Sequence, residues 1–188
     1  MKLLSLLFTV LVLAAPCLAK PIDYRLNADK SSVSFSYQFN GQTINGSMPV
    51  SDARLSLDFN SLDNSTVTIV LNADKARAGF LFATQAMRGK TILDTAQHPT
   101  IQFVSKRVLR TDTGAKITGK VTVRGVTKPL VLTARFYRQK GVMPKDLSLL
   151  TILLTGAIPR ASFGANGYPK LVGDQINLRI IAHIKQVK

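Results

Sequence analysis

The chain has no glutamate, no tryptophan, two histidines and one cysteine, Cys17. Each shortage removes a kind of chemistry. The histidines, His98 and His183, stand 85 positions apart, and neither has a second histidine or an acid at ligand spacing. A zinc site therefore has no support, and no other metal or cofactor is called for. Without glutamate, and with its cysteine near the N-terminus, the chain is left with Ser/His/Asp combinations for nucleophilic catalysis. Serine and aspartate are common enough here that such sets mean nothing without geometry. A glycine-rich phosphate loop is also missing.

The first nineteen residues read as a signal peptide and not as part of the fold. Lys2 precedes the apolar run Leu3 to Leu13, which is too short to span a bilayer, and small residues lead to Cys17-Leu18-Ala19. Pro16 and Ala14 make a poor lipid-attachment site of Cys17, so cleavage after Ala19 and a soluble product are expected. Residues 20–188 then form one cysteine-free domain. At about 170 residues it is large enough to bury roughly 70% of its unfolded-chain surface.

Positive charge is in excess. All ten acids are aspartates, and of 25 Lys and Arg residues Lys2 leaves with the leader, so the mature chain carries 24 − 10 = +14. Such a balance predicts attraction to polyanions and to anionic lipid surfaces, and says nothing about fold. A secreted product makes nucleic acid a poor partner and an anionic membrane surface a better one.

Hydrophobic alternation dominates the rest. Val33, Phe35, Tyr37 and Phe39 alternate with polar residues and run into Asn40-Gly41, a strong hairpin signal. Further strands are expected through Ile44–Met48, Ala53–Phe59 and Val67–Leu71. More follow at Ile101–Ser105, Ile117–Val123, Leu130–Tyr137, Leu149–Thr155 and Gln175–Ile184. Between Asp74 and Thr95 the alternation stops. Phe80, Ala83, Thr84 and Met87 recur at helical spacing before Gly89, with Asp74 available as a cap. Eight or nine short strands imply an all-β sandwich or a closed barrel, and alternation fits both.

Several stretches have family character. Asp29–Phe35, Met87–Ser105, Gly119-Lys120-Val121-Thr122-Val123-Arg124-Gly125-Val126-Thr127-Lys128-Pro129-Leu130, Arg160–Gly164 and Val172–Asp174 resemble the YceI-like family of periplasmic lipid-binding proteins. The resemblance spans roughly 24–184, and the Gly119–Leu130 stretch is its most specific part. Lys30 stands where many members carry histidine, and Ile92-Leu93 where paired aromatics are familiar. The resemblance implies a single lipocalin-like antiparallel β-barrel with a short covering helix. It also implies periplasmic binding, storage or transport of a polyisoprenoid or similar long-chain amphiphile, without catalysis. A basic protein that binds anionic lipid surfaces, or a hydrolase acting on an amphiphile, remain the alternatives.

The expected lining is the odd-numbered apolar set plus the helix face: Phe35, Tyr37, Phe39, Leu55, Leu57, Phe80, Met87, Phe103, Ile117 and Val121. Plain core packing explains each of these positions equally well. Arg88, Arg124 and Arg160 have two readings, as ties between turns and aspartates such as Asp94 and Asp174, or as contacts to a ligand head group. Gly125 marks a sharp turn whose exit Pro129 would preset.

Overall fold

The structure, a computed structural model, describes residues 20–138, 143 and 146–187. The expected signal peptide lies outside the described residues.

Ten strands and one α-helix follow in chain order. They are β1 (Ile22–Leu26), β2 (Ser32–Phe39), β3 (Gln42–Ser47), β4 (Val50–Leu57), β5 (Thr66–Asn72), α1 (Leu81–Arg88), β6 (Thr100–Thr111), β7 (Gly114–Val123), β8 (Val126–Arg138), β9 (Leu149–Pro159) and β10 (Gln175–Gln186). All pairings are antiparallel. Sequence alone left sandwich and barrel open, and the edge of β10 decides between them. One edge pairs with β9 from Gln175↔Pro159 to Lys185↔Leu149. The other meets β2 over Asn177–Ile181 and β1 over Ile184–Gln186. Because β1 also pairs with β4, the sheet closes. β1 with β2, and β3 with β4, each behave as one broken strand, so ten strands fill eight positions around a barrel. Closure removes the open edges on which further chains could add.

Two tight hairpins have the turn chemistry they need. Asn40 and Gly41 take φ of 48° and 78°, and Arg124 and Gly125 take 52° and 73°. Two consecutive positive φ values define the turn whose twist matches that of paired strands. Pro129 plays a different part from the one expected. It lies inside β8, opposite Lys120, four residues past the turn. β9 does not pair with β8 until Thr133, so a missing N–H on that side breaks no ladder.

The covering segment also differs from expectation at its start. Phe80, not Asp74, occupies the position before α1, and it makes no side-chain capping bond. The chain cannot enter a helix at Asp74, because Arg77 exchanges two 2.8 Å backbone bonds with Ser47 at the end of β3. Asp74 instead accepts a bond from the Thr95 hydroxyl at 3.1 Å. Asp94 contributes its main chain: with φ of 50°, its carbonyl accepts from the N–H groups of Gln97 and His98.

Candidate ligand-binding cavity

The barrel encloses a cavity of about 680 Å³, within the 300–1,000 Å³ usual for small-molecule sites. Its wall follows from the pleat: in a strand, alternate side chains point to one face, and closure makes that face a lumen. Phe35, Tyr37 and Phe39 of β2, Leu55 and Leu57 of β4, Phe103 of β6, and Ile117 and Val121 of β7 all line it, as expected. So do Phe80 and Met87 of the covering segment.

The lining is wider than the odd-numbered set. From β8, β9 and β10 the wall residues are even-numbered apart from Ile181, among them Leu132, Phe136, Ile152, Leu154, Leu178 and Ala182. The parity shifts at the two-residue turn between β7 and β8, across which odd-numbered residues pair with even ones, as Ile117 does with Leu132, and within β6 itself, which carries a bulge between Ser105 and Arg107. That bulge moves its inward face from Phe103 to Val108, both buried.

Two glycines keep the lumen open. A Cβ on Gly46 would come within 2.2 Å of the Phe35 ring, and one on Gly119 within 2.6 Å of the Phe103 ring. Each phenyl ring therefore occupies space beside bare backbone on its neighbouring strand that a Cβ would otherwise fill.

The ends differ. At one, the rings of Tyr24, Phe59 and Phe136 form a chain of edge-on contacts 6.2 and 5.6 Å apart. The Tyr24 hydroxyl there donates to the Leu147 carbonyl at 3.0 Å. Burial, with Asp146 nearby, pushes its phenol above the ordinary value. At the other end, α1 and the segment 165–172 surround a mouth. Tyr37 donates to the Ala78 carbonyl at 2.9 Å, and burial raises its phenol as well. Phe39 meets Phe80 edge-on at 5.6 Å.

Among the described residues the wall carries one charge, Arg160, and no aspartate or histidine. The described residues also hold no group of three potential metal ligands. Arg160 is 7% exposed. Its Nε donates to Gly173 at 3.0 Å, Nη2 to Val172 at 2.9 Å, and Nη1 to both Gly167 at 2.7 Å and Ala165. Four main-chain carbonyls thus converge on one guanidinium and fold the segment 160–173 into the rim of the mouth. Burial draws its pKa below the usual arginine value, partly opposed by Asp174.

Arg88 and Arg124 stand outside the wall. Arg88 donates through Nη2 to the Ala76 carbonyl at 3.0 Å, and its Nε is buried without a partner among the described residues. Arg124 donates to the Gly164 carbonyl. The tie between turns and aspartates needs correcting, since all three arginines bond to carbonyl oxygens. The described ion pairs are Arg54–Asp52 and Arg107–Asp63, both exposed. His183 bonds to Thr151 at 3.0 Å on the outer face.

A closed antiparallel barrel around an almost wholly apolar cavity, with no carboxylate or imidazole in its described wall, is the architecture of a container for an apolar molecule. A model of the YceI-like domain matches residues 24–184, and the chain belongs to the YceI-like family. It is 34% identical over 86 residues to a UPF0312 protein of Ectopseudomonas mendocina, a match that covers 45% of each chain. The chain thus spans under half the length of that relative. Among solved structures, BcnA of Burkholderia cenocepacia is similar with a TM-score of 0.74 at 16% identity, over 85% of this chain and 99% of the other. A polyisoprenoid binding domain from Saccharophagus degradans, implicated in plant cell wall breakdown, gives 0.64 at 10% identity, over 88% and 99%. At these identities the likeness establishes the fold.

Proposed function

We propose that this chain binds a long-chain, water-insoluble amphiphile of the polyisoprenoid class inside its barrel, and stores or carries it in the periplasm without transforming it. One observation carries the reading: a cavity of about 680 Å³ in which the one charge among the described wall residues, Arg160, is engaged by four backbone carbonyls. Such a cavity offers an apolar chain roughly 0.8 kcal/mol per buried CH₂ and offers a polar solute almost nothing. Membership of the family and the fold shared with a polyisoprenoid binding domain support the ligand class. The leader-like N-terminus supports the compartment. Mass spectrometry of organic extracts from natively purified protein tests the proposal. A long-chain lipid at near-stoichiometric amount is expected. Extracts without one, together with failure of the purified protein to take up a polyprenol, would overturn it.

A further inference from the structure

We infer that the rim of the mouth is a docking surface for an anionic lipid bilayer, through which the cavity exchanges its ligand with the membrane. The inference rests on the lipid-binding reading above.

Exposed apolar side chains concentrate at this rim. Leu81 is 67% exposed, Phe82 77%, Phe80 40%, Tyr168 50% and Leu171 45%. Away from the rim the described exposed ones are more scattered: Val104 and Val131 on the walls, Val126 beside the β7–β8 turn, and Tyr137, Met143 and Val187 toward the chain segments at the far end, where none is a cavity-wall residue. The rim residues come from two distant segments that one strand holds together. Phe39, at the end of β2, packs on Phe80 and forms a backbone bridge to Val172. Beside it, Asn40 donates to the Leu171 carbonyl at 2.8 Å. Tyr168 is kept at φ of 54°, a region that disfavours a residue with a Cβ, and its carbonyl accepts from both Leu171 and Val172. The collar is therefore built into the fold.

Two further observations identify what covers it. Phe80, Phe82, Tyr168 and Leu171 are at once exposed and part of the cavity wall. The apolar lining thus continues without a polar break to the outer surface. A lipid tail that leaves a bilayer along this path never meets water. The exposed cations of the rim are Lys90 and Lys170. The three stretches that build it, 35–51, 78–93 and 161–173, hold no acid themselves; Asp52, Asp94 and Asp174 follow directly on their ends, and the Asp174 carboxylate is engaged by the Ala161 N–H, while the chain as a whole carries +15. Aromatic and aliphatic side chains flanked by cations are what an interfacial segment needs: the first enter the acyl boundary, and the second meet anionic head groups. A second copy of the chain would bring the same cations face to face.

The absence of native tryptophan supplies the test. Phe82→Trp places a lone reporter on the rim, and Tyr137→Trp places one at the far end of the barrel. With vesicles of phosphatidylcholine and phosphatidylglycerol, F82W emission should shift to the blue and be quenched by brominated acyl chains. Added salt should weaken this, vesicles of phosphatidylcholine alone should show less of it, and Y137W should not respond. The double variant Leu81→Ser, Phe82→Ser alters two side chains that are mostly in water. It should keep the wild-type Tm yet lose about tenfold or more in vesicle partitioning. An unshifted F82W, an equal response from Y137W, or a wild-type dimer that the double variant dissolves would overturn the inference. Organic extracts of the same preparations separate the two readings. Bound lipid without docking removes only the membrane surface, whereas protein that neither carries nor takes up lipid removes the cavity reading.

Discussion

Tyr37 reaches across 41 residues of chain to donate its hydroxyl to the carbonyl of Ala78, at 2.9 Å and out of contact with water. The bond joins the barrel wall to the segment that leads into α1, and it holds the cover over the mouth. Tyr37→Phe would leave the Ala78 carbonyl buried without a partner. Such an orphan costs about 1–3 kcal/mol. In a domain of this size that is a fall in Tm on the order of 5 °C. Bound lipid should also dissociate faster, because the cover is loosened. An unchanged Tm in Y37F would show that the bond contributes nothing net.

Arg160 should behave as a clamp for the rim. Arg160→Ala removes the group on which four carbonyls converge. Loss of a buried charge-assisted network costs about 3–5 kcal/mol, or roughly 10 °C in Tm. Arg160→Lys should recover little, because an ammonium cannot reproduce the planar fork. By contrast, Arg124 is half-exposed and makes one bond, so Arg124→Ala should cost about 1 kcal/mol. Thermal melts of the three variants decide. Equal stability of R160K and wild type would mean that charge, not geometry, holds the segment.

Much of this was readable in the sequence, and the failures have physical causes. The β2–β3 hairpin is legible because Val33, Phe35, Tyr37 and Phe39 alternate strictly and Asn40-Gly41 supplies the two positive φ values. β1 is not: its three apolar positions, Ile22, Tyr24 and Leu26, are too few to stand out. β9 contains Leu149-Leu150-Thr151-Ile152-Leu153-Leu154, and in such a run alternation does not report which residues face in. Ile152 and Leu154 were therefore invisible as wall residues. The bulge in β6 changes parity in mid-strand, which no period-two pattern shows. As for the arginines, a motif places a cation at a turn, but only folding reveals that carbonyls converge on it.

Asp58 sets an acid limit to stability. Its carboxylate accepts from the Asn64 side chain at 3.1 Å and from the N–H groups of Asn60 and Ser61 at 2.9 and 3.0 Å. These bonds, that of Asn64 foremost, hold its pKa below the usual carboxylate range. A carboxyl whose folded pKa is depressed contributes stability at pH above its unfolded value, about 4. That contribution is lost as pH falls through the folded one. Asp58→Asn should therefore melt below wild type at neutral pH, with the gap closing below about pH 4. Tm measured against pH for both proteins checks this. A gap that stays constant down to the acid limit would show that the ionised form has no special role.

The cavity reading has its most direct check at Ala182. This residue lies on β10 between Ile180 and Ile184, opposite Ile152 of β9, and its methyl group forms part of the lumen wall. Ala182→Phe would push a ring into space that the wild type leaves open. In a solid core such an insertion costs about 1–3 kcal/mol through overpacking. In a cavity the ring has room, so Tm should hold or rise slightly. The effect on binding should be opposite in sign. If the ring displaces even two methylene groups of a bound chain, roughly 1.6 kcal/mol is lost, about tenfold in affinity. Long chains should suffer most, because only a long chain would reach the end of the barrel beside Tyr24 and Phe136. Lys185→Phe, on the exposed outer face of the same strand, adds the same ring without entering the lumen and should leave affinity unchanged. Titrating both variants with polyprenols of graded length separates the possibilities. A variant A182F that binds every length as wild type does would mean the chain does not occupy the barrel interior.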